Sequence, residues 1–507
     1  MAMVKAKRKM SAYERLRNGE QLNRTERRQV QQLVSSGDPT LEVVHRNAGG
    51  IDAGSKSHFV AVPGGRDPEK RTVREFGAWT EDLWRMAEWL KSCRVDTVAV
   101  QSTGVYWIAL QEVLEKNGIQ VDVVNARGTK NLPGRKSDVQ ECQWLMKLHT
   151  YGLLRNSFRP PEEVRGVRTL WRHRERLVGD AGRAIQQMQK ALLIMNIQLP
   201  HTISDVSGVT GMAIIRAILQ GERDPRKLAQ LRDRRIKASE EEIVQSLQGH
   251  WRDDVLFELQ QVLAGYDFLE KQIQDCDQQV CRYLVGQAEQ RPAVAARVEE
   301  GAEKNGKKKR GKRKQGKRKR TRSRWQDPVG FDLRTVLHRL FGVDLTRIDG
   351  IDVMTALKIY TELGPDLRAF PDEGAFCSWL ELVPRKDITG GKVIRQKARQ
   401  SKNRVAGALR MAAESLSDSD SYLGARYRRM RGHKDGKPTV KAMAHYLARL
   451  VYRMLTRGEE YVDRGAKYFE KKREEREMVG LQRKAAQLGM KLVPAHDAKC
   501  SRPAPSA

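Results

Sequence analysis

The chain has 507 residues, of which 39% are hydrophobic, so it can form roughly two to four domains with ordinary cores and is not a small disulfide-stapled scaffold. Lys and Arg number 95 against 63 Asp and Glu, and the net charge of +32 favours a polyanionic partner, nucleic acid first. No apolar run approaches the roughly 20 residues that span a membrane, and the basic N-terminus has no apolar signal segment, so we expect a soluble, unexported, cytoplasmic protein.

The cysteines are spread along the whole chain, and no two of them form a CxxC pair. They are Cys93, Cys142, Cys276, Cys281, Cys377 and Cys500. This spacing is typical of neither a disulfide framework nor a zinc site. We therefore expect free thiols in a reducing compartment.

The first 163 residues predict a short arm followed by an α/β domain. Residues 1–44 are polar and basic, offer little to bury, and contain one predicted helix at 11–35. The domain at 45–163 alternates short β-rich runs with amphipathic segments. Strands are predicted at 50–52, 58–62, 71–76, 97–101 and 121–125, and helices at 80–93, at 105–116 and from about 137. The order βββαβαβα is compatible with a ribonuclease-H-like fold, although several α/β folds share pieces of this order.

The region 164–299 has a helical pattern without strands. Apolar residues recur at alternating steps of three and four in two segments, 178–199 and 255–283. Two seams of this kind predict long helices that pack as a coiled coil, although a plain helical bundle explains the pattern equally well. The heptads do not reveal whether the partner of each seam lies in the same chain.

A basic linker at 300–330 separates these helices from a helical C-terminal domain at 331–458 and a charged helical tail at 459–507. Within the linker, residues 304–324 hold 14 Lys or Arg and no acidic residue, and the chain without them still carries +18. Such a composition cannot build a core and predicts disorder.

Deleting residues 304–324 is expected to flatten the salt dependence of nucleic-acid affinity. The run has no aromatic side chain, so we expect it to contact phosphates rather than bases. Each phosphate contact contributes a slope of roughly −0.7 to −0.9 in log affinity against log salt. Affinities measured at several salt concentrations test this. An unchanged slope would make the run a solvated spacer.

Acidic residues fall at one predicted edge of the sheet. Asp52 ends the first strand, Gln101 ends the fourth, and Asp138 and Glu141 lie three apart at the start of a helix. Carboxylate oxygens bind hard cations such as Mg²⁺, and two such ions assist the cleavage of phosphodiesters. The pattern thus indicates a metal site. Alternatively, Asp52 caps a turn and the other two acids stabilise a helix N-terminus.

Two segments of the C-terminal domain suit contact with phosphate. Residues 348–356 resemble a helix-hairpin-helix turn, in which Gly350 permits a tight bend and amides face a phosphate; an ordinary interhelical turn is the alternative. Thr389 is followed by two glycines and flanked by cations, a setting for a hydroxyl nucleophile that attacks phosphate, although a basic surface loop would look the same. The flanking residues are Arg385, Gly390, Gly391, Lys392 and Arg395.

Taken together, the motifs resemble the transposases of the insertion-sequence-110 family, which are relatives of the Piv DNA invertase and of bridge-RNA-guided recombinases. The resemblance extends from about residue 49 to residue 494. It is carried by Gly-Ile-Asp-Ala-Gly-Ser-Lys-Ser-His at 50–58, Gln-Ser-Thr-Gly-Val-Tyr-Trp at 101–107, Pro-Gly-Arg-Lys-Ser-Asp-Val-Gln-Glu-Cys-Gln-Trp at 133–144, Phe-Cys-Ser-Trp-Leu-Glu-Leu-Val-Pro at 376–384 and Thr-Gly-Gly-Lys at 389–392.

This resemblance implies a RuvC-like domain with a DEDD site for Mg²⁺ or Mn²⁺, a coiled coil and a C-terminal transposase domain. It also implies a serine that bonds covalently to DNA, a noncoding guide RNA, and a dimer or tetramer in which one subunit's serine works beside another's metal site. The first and third acids fall on Asp52 and Asp138. Cations in or beside the matched motifs, namely Lys56, Arg135 and Lys136, are expected to contact nucleic acid.

Three positions depart from the family pattern. The family glutamate falls on Gln101, whose amide oxygen brings no charge; the last aspartate falls on Glu141, which is longer by a methylene; and the serine falls on Thr389, which is more crowded. The first two changes are expected to weaken metal binding. Two functions therefore compete: a transposase, active or weakened, and a decayed or repurposed relative that binds RNA and DNA without joining strands.

Overall fold

The computed structural model describes residues 10–18, 22, 24–101, 104–125, 137–291, 331–389, 392–397, 401–433, 435–458, 461–463 and 465–490. The predicted linker at 300–330 lies outside these residues. The chain divides into two compact units, Met1–Arg159 and Pro160–Ala507. Among the described residues, no helix combines the length and the apolarity that a membrane span requires.

The first unit is built on a mixed sheet of five described strands. The elements are α1 (Ala12–Arg17), α2 (Arg24–Ser36), β1 (Ala48–Ala53), β2 (Ser57–Ala61), β3 (Val73–Gly77), α3 (Thr80–Ser92), β4 (Thr97–Gln101), α4 (Trp107–Lys116), β5 (Gln120–Val124) and α5 (Asp138–Thr150). The strand order is β3-β2-β1-β4-β5; β1, β4 and β5 are parallel, whereas β2 is antiparallel to β1 and β3. The predicted order βββαβαβα is confirmed, and it is consistent with a ribonuclease-H-like domain.

Helices cover both faces of this sheet, so its inner strand β4 is buried along its whole length. Apolar residues of α3 and α4, among them Leu83, Met86, Leu90, Leu110 and Leu114, form a core with one face. On the other face α5 lies directly against β1. Gly50 permits this close approach, because a Cβ there would stand 2.3 Å from the carbonyl oxygen of Cys142 and from the amide nitrogen of Met146.

The N-terminal segment differs from the predicted arm. The helix expected at 11–35 is two helices, α1 and α2, and their apolar residues pack on the outer side of α5. Tyr13, Val30 and Val34 are buried in a small core with Trp144 and Leu148. The expectation that residues 1–44 offer little to bury is therefore wrong. Apolar residues spaced three to four apart form a narrow stripe along these charged helices, and the overall composition of the segment does not reveal it.

Two long antiparallel helices, α6 (Glu162–Ile194) and α11 (Asp253–Glu289), form the first part of the second unit. They are joined by short helices that extend their core: α7 (Leu199–Thr202), α8 (Val209–Leu219), α9 (Pro225–Ala229) and α10 (Glu240–Ser246). The two predicted seams thus pack against each other within one chain. That they form a true coiled coil stays a prediction. Tyr283, which was expected in the seam, is 48% exposed, and Leu284 is buried instead. A 3.6-residue helix drifts from a strict heptad over this length.

A buried ion pair joins the two long helices. Arg174 on α6 is 3% exposed and donates two hydrogen bonds to Asp277 on α11, which is 9% exposed; the Nη2 to Oδ2 distance is 3.1 Å. The guanidinium also stacks over Trp171.

Replacing Asp277 with alanine is expected to destabilise the second unit by about 3–5 kcal/mol, because the Arg174 guanidinium would remain buried without its counter-charge. The matched control is Asp267→Ala on the same helix, which breaks an ion pair with Arg216. The two side chains are 42% and 47% exposed, so this loss is expected to lower the free energy of unfolding by about 1 kcal/mol or less. Thermal unfolding of the variants measures the difference. Equal losses of stability would contradict the assigned role.

Helices α12 (Leu333–Phe341), α13 (Val353–Leu363), α14 (Glu373–Trp379), α15 (Arg404–Ser415), α16 (Tyr422–His433) and α17 (Gly436–Arg457) form the C-terminal domain. A hairpin of β6 (Arg385–Thr389) and β7 (Lys392–Lys397) precedes α15, and α18 (Gly465–Gln487) follows in the predicted tail. Tyr360 of α13 donates a hydrogen bond to the side chain of Gln287 at 3.0 Å, which ties this domain to α11.

Candidate active site and nucleic-acid interface

The first two candidate residues lie on neighbouring strands at one edge of the sheet. β1 and β4 are parallel, with Ile51 opposite Val100, so Asp52 and Gln101 come next at the same edge. A Cβ built on Gly50 would point at α5. Asp52 lies two residues further along β1, and side chains two residues apart lie on the same face of a strand. Asp52 is therefore on the face that α5 covers. Gln101 is 3% exposed.

Helix α5 brings the remaining acids to this edge. Its N-cap is Ser137, whose hydroxyl accepts a hydrogen bond from the amide of Gln140 at 3.4 Å, and Asp138 is its first residue. Asp138 lies one turn before Cys142, the residue that contacts Gly50. The close contact of helix and strand at Gly50 thus sets the position of Asp138 relative to β1.

The buried thiol of Cys142 lies near both Asp52 and Asp138. Its pKa is raised to about 12, chiefly by burial, and the carboxylates of Asp52 and Asp138 both contribute, because each disfavours a nearby thiolate. The thiol donates a hydrogen bond to the carbonyl of Val139 at 3.1 Å. Two carboxylates on different elements therefore approach the same buried group.

Glu141 does not complete a three-acid site. Within the described part of the chain, no three His, Cys, Asp or Glu side chains are close enough together to hold a metal ion. Asp52, Asp138 and Glu141 thus form no such cluster here, and their role as a ligand set stays a prediction. Asp52 and Asp138 remain as a candidate pair, and the neighbouring strand end carries the neutral amide of Gln101. This pair still fits Mg²⁺, which proteins commonly hold through one or two carboxylates together with substrate phosphates.

Other groups flank the same edge. Lys56, in the turn after β1, is exposed, and its carbonyl accepts the amide of Ala78, which places the end of β3 beside it. Trp79 follows β3 and is 81% exposed, whereas Tyr106, which follows β4, is 45% exposed. We did not select these two aromatic side chains from the sequence, where nothing distinguishes them from core residues. Arg135 and Lys136 lie outside the described residues.

Thr389 lies at the tip of the β6–β7 hairpin. It pairs with Lys392, and the two residues between them, Gly390 and Gly391, lie outside the described residues. Arg385 pairs with Lys397 and Arg395 with Asp387 along the same ladder. The basic segment therefore contains two paired strands, which position the Thr389 backbone.

Two other hydroxyls near the hairpin, those of Ser378 and Ser401, are possible rivals of Thr389 as nucleophile. Ser378 follows the buried pair Phe376 and Cys377 on α14 but is itself exposed. The hydroxyl of Ser401 donates to the carbonyl of Leu380 at 3.0 Å and accepts from the amide of Asn403 at 3.1 Å. These bonds explain Ser401 as a structural residue at the start of α15.

Gly350 has a packing role in the turn before α13. Its φ is +89°, and a Cβ there would lie 2.6 Å from the carbonyl oxygen of Ala412. The N-terminus of α13 is capped by Asp352, whose carboxylate accepts the amide of Thr355 at 2.8 Å. The turn is thus explained without a ligand, and contact between its amides and phosphate stays a prediction.

Sequence reasoning also missed a group of arginines on α6. Arg165, Arg168 and Arg172 follow one another at steps of three and four, so they share a face. Arg168 and Arg172 both bind Glu362 of α13, which is 5% exposed. The spacing was visible in the sequence, but the partner, about 190 residues away, was not.

Two family models match the chain. A transposase model of the IS110 DEDD type matches residues 49–197, and the model described as transposase of the IS116/IS110/IS902 family matches residues 344–429. A comparison with curated proteins finds no match. The first match spans the sheet with Asp52, Gln101 and α5, and the second contains the Thr389 hairpin. The chain therefore belongs to the IS110 family of transposases.

Proposed function

We propose that this transposase cuts and rejoins DNA strands at the end of an insertion sequence, through a covalent bond between its own hydroxyl and DNA, guided by a noncoding RNA. The observation that supports the proposal is that Asp52 and Asp138, on different elements, both lie near the buried thiol of Cys142, close to the end of β1. Carboxylates so placed are suited to phosphodiester chemistry.

In this proposal Asp52 and Asp138 hold Mg²⁺ or Mn²⁺, with the Gln101 amide beside them. When bound, such an ion stabilises the negative charge that develops on the oxygens of a phosphodiester under attack. The chain itself supplies the two carboxylates, and the packing of α5 on Gly50 supports their placement near each other.

Thr389 is the proposed nucleophile. Its oxygen bonds to the phosphorus as its proton leaves, and the bond from phosphorus to the leaving strand breaks, which gives a threonyl-DNA ester and a free strand end. A second strand end then displaces Thr389 and restores an intact phosphodiester. Arg385 and Lys392 supply positive charge in the same hairpin. The family resemblance favours a dimer or tetramer in which one subunit's hydroxyl acts beside another's carboxylates.

Replacing Gln101 with glutamate is expected to tighten Mg²⁺ or Mn²⁺ binding and to raise the rate of strand joining, because a third carboxylate would stand at the strand end next to Asp52. Metal affinity is measured by calorimetry and joining by quantification of DNA junctions. The matched control is Gln111→Glu, at a buried glutamine of α4 on the other face of the sheet. No gain in metal affinity for Gln101→Glu would remove Gln101 from the proposed site.

The neutral Gln101 also favours the second candidate function, a relative that binds nucleic acid without joining strands. One experiment separates the two. The gene with its native flanking DNA is placed on a plasmid, and new DNA junctions are sequenced after expression of the wild-type chain or of a double variant, Asp52→Asn with Thr389→Ala. Junctions from the wild type alone support the transposase. Their absence from both, with RNA still co-purifying, would support the binding protein.

A further inference from the structure

Helices α6, α13 and α15 bring together a group of basic side chains, which we call the α6 cation cluster. It consists of Arg165, Arg168, Arg172, Lys358 and Arg404. Two carboxylates lie among them. Glu362 accepts hydrogen bonds from Arg168 at 3.1 Å and from Arg172 at 2.9 and 2.7 Å, and Glu175 pairs with Lys358 at 2.5 Å and with Arg404. The five cations named therefore exceed the two carboxylates by three charges.

Burial and repulsion show that this charge is only partly balanced. The pKa of Arg168 is lowered, mainly by burial, and the neighbouring Arg172 and Arg404 add to the effect. The Nε of Arg165 is buried and has no hydrogen-bond partner among the described residues. Arg404 lies 3.9 Å from Glu362, beyond hydrogen-bond distance. An ion-pair clamp with a purely structural role would not need the additional cations.

The cluster is also accessible to a ligand. The side chains of Arg172 and Arg404 are each 41% exposed. Each of them contacts a carboxylate and is also partly accessible to solvent. Arg404 is the first residue of α15, seven residues after the end of β7. The chain thus places the exposed, pre-oriented guanidinium group of Arg404 close in sequence to the Thr389 hairpin. Guanidinium geometry matches phosphate oxygens.

We propose that the α6 cation cluster is a binding site for the phosphodiester backbone of duplex DNA, with Arg172 and Arg404 as its principal contacts. This inference rests on the proposed function in that it takes DNA as the ligand. Glu175 and Glu362 hold the arginines in place, and they reduce the affinity of the site by neutralising part of its charge.

The test measures the affinity of the full-length chain for a short DNA duplex of random sequence at several salt concentrations. Arg404→Gln is the main variant, because Glu362 then keeps both Arg168 and Arg172 and the fold is retained. Its slope is expected to be shallower than that of the wild type by about 0.9, the value for one phosphate contact. The matched control, Arg216→Gln, removes a paired arginine of similar exposure on α8 and is expected to leave the slope unchanged.

Glu175→Gln separates binding from a structural role. It frees Lys358 and Arg404 and is expected to tighten DNA binding several-fold, whereas a purely structural clamp would predict lower thermal stability and no gain in affinity. An unchanged slope for a folded Arg404→Gln variant would overturn the proposal, as would a change of slope on an RNA oligonucleotide but not on DNA. A wild-type chain that binds no DNA would contradict the proposed function itself.

Discussion

Replacing Asp52 with asparagine abolishes strand joining if the carboxyl edge of the sheet is the catalytic centre. The substitution preserves the size of the side chain and the packing of β1 against α5, and it removes only the charge that would hold the cation. Joining should fall to background, and binding of Mg²⁺ or Mn²⁺ should weaken with it. Junction sequencing measures the first effect and calorimetry the second.

The control for this substitution is Asp96→Asn. Asp96 immediately precedes β4, at the opposite end of the strand from Gln101, is exposed, and accepts a hydrogen bond from Asn47 at 2.9 Å. The Asp96→Asn variant should leave strand joining unchanged. If Asp52→Asn also left joining unchanged, the chemistry would lie elsewhere, and the pair of Asp52 and Asp138 would have a structural role only.

Replacing Thr389 with alanine is expected to remove the covalent protein–DNA adduct completely while DNA affinity stays within about twofold of the wild type. The side chain supplies the attacking oxygen and no charge, so its loss should affect bond formation rather than phosphate binding. Thr389→Ser keeps the hydroxyl, reduces crowding, and should form at least as much adduct. Denaturing gels measure the adduct, and titrations at fixed salt measure the affinity. A full yield of adduct from Thr389→Ala would exclude this residue.

The sheet and its edge could be predicted because local signals agree there. β4 reads Thr-Val-Ala-Val-Gln, an apolar run typical of a buried parallel strand, and Ser137 before Asp138 is a strong N-cap signal. Parallel pairing then brings Asp52 and Gln101 to the same edge. What the sequence could not provide is distance: Glu141 shares the α5 N-terminus with Asp138 yet forms no three-acid cluster in the described structure.

The errors come from contacts between distant segments. The sequence predicts a solvated arm at the N-terminus because the small core that buries Tyr13 and Val34 depends on Trp144 of α5, over 100 residues away. The α6 cation cluster was missed for the same reason, since Arg168 and Arg172 look like surface charges until Glu362 is placed against them. Side chains of this kind have no local signature, because tertiary packing alone decides their burial.

The central claim is that this IS110-family chain joins DNA through its own Thr389 hydroxyl. Mass spectrometry of the trapped protein–DNA adduct, after digestion of the protein and the DNA, tests it most directly. We predict a nucleotide remnant on the peptide that contains Thr389. A remnant on Ser378 or on Ser401 instead would contradict the assignment.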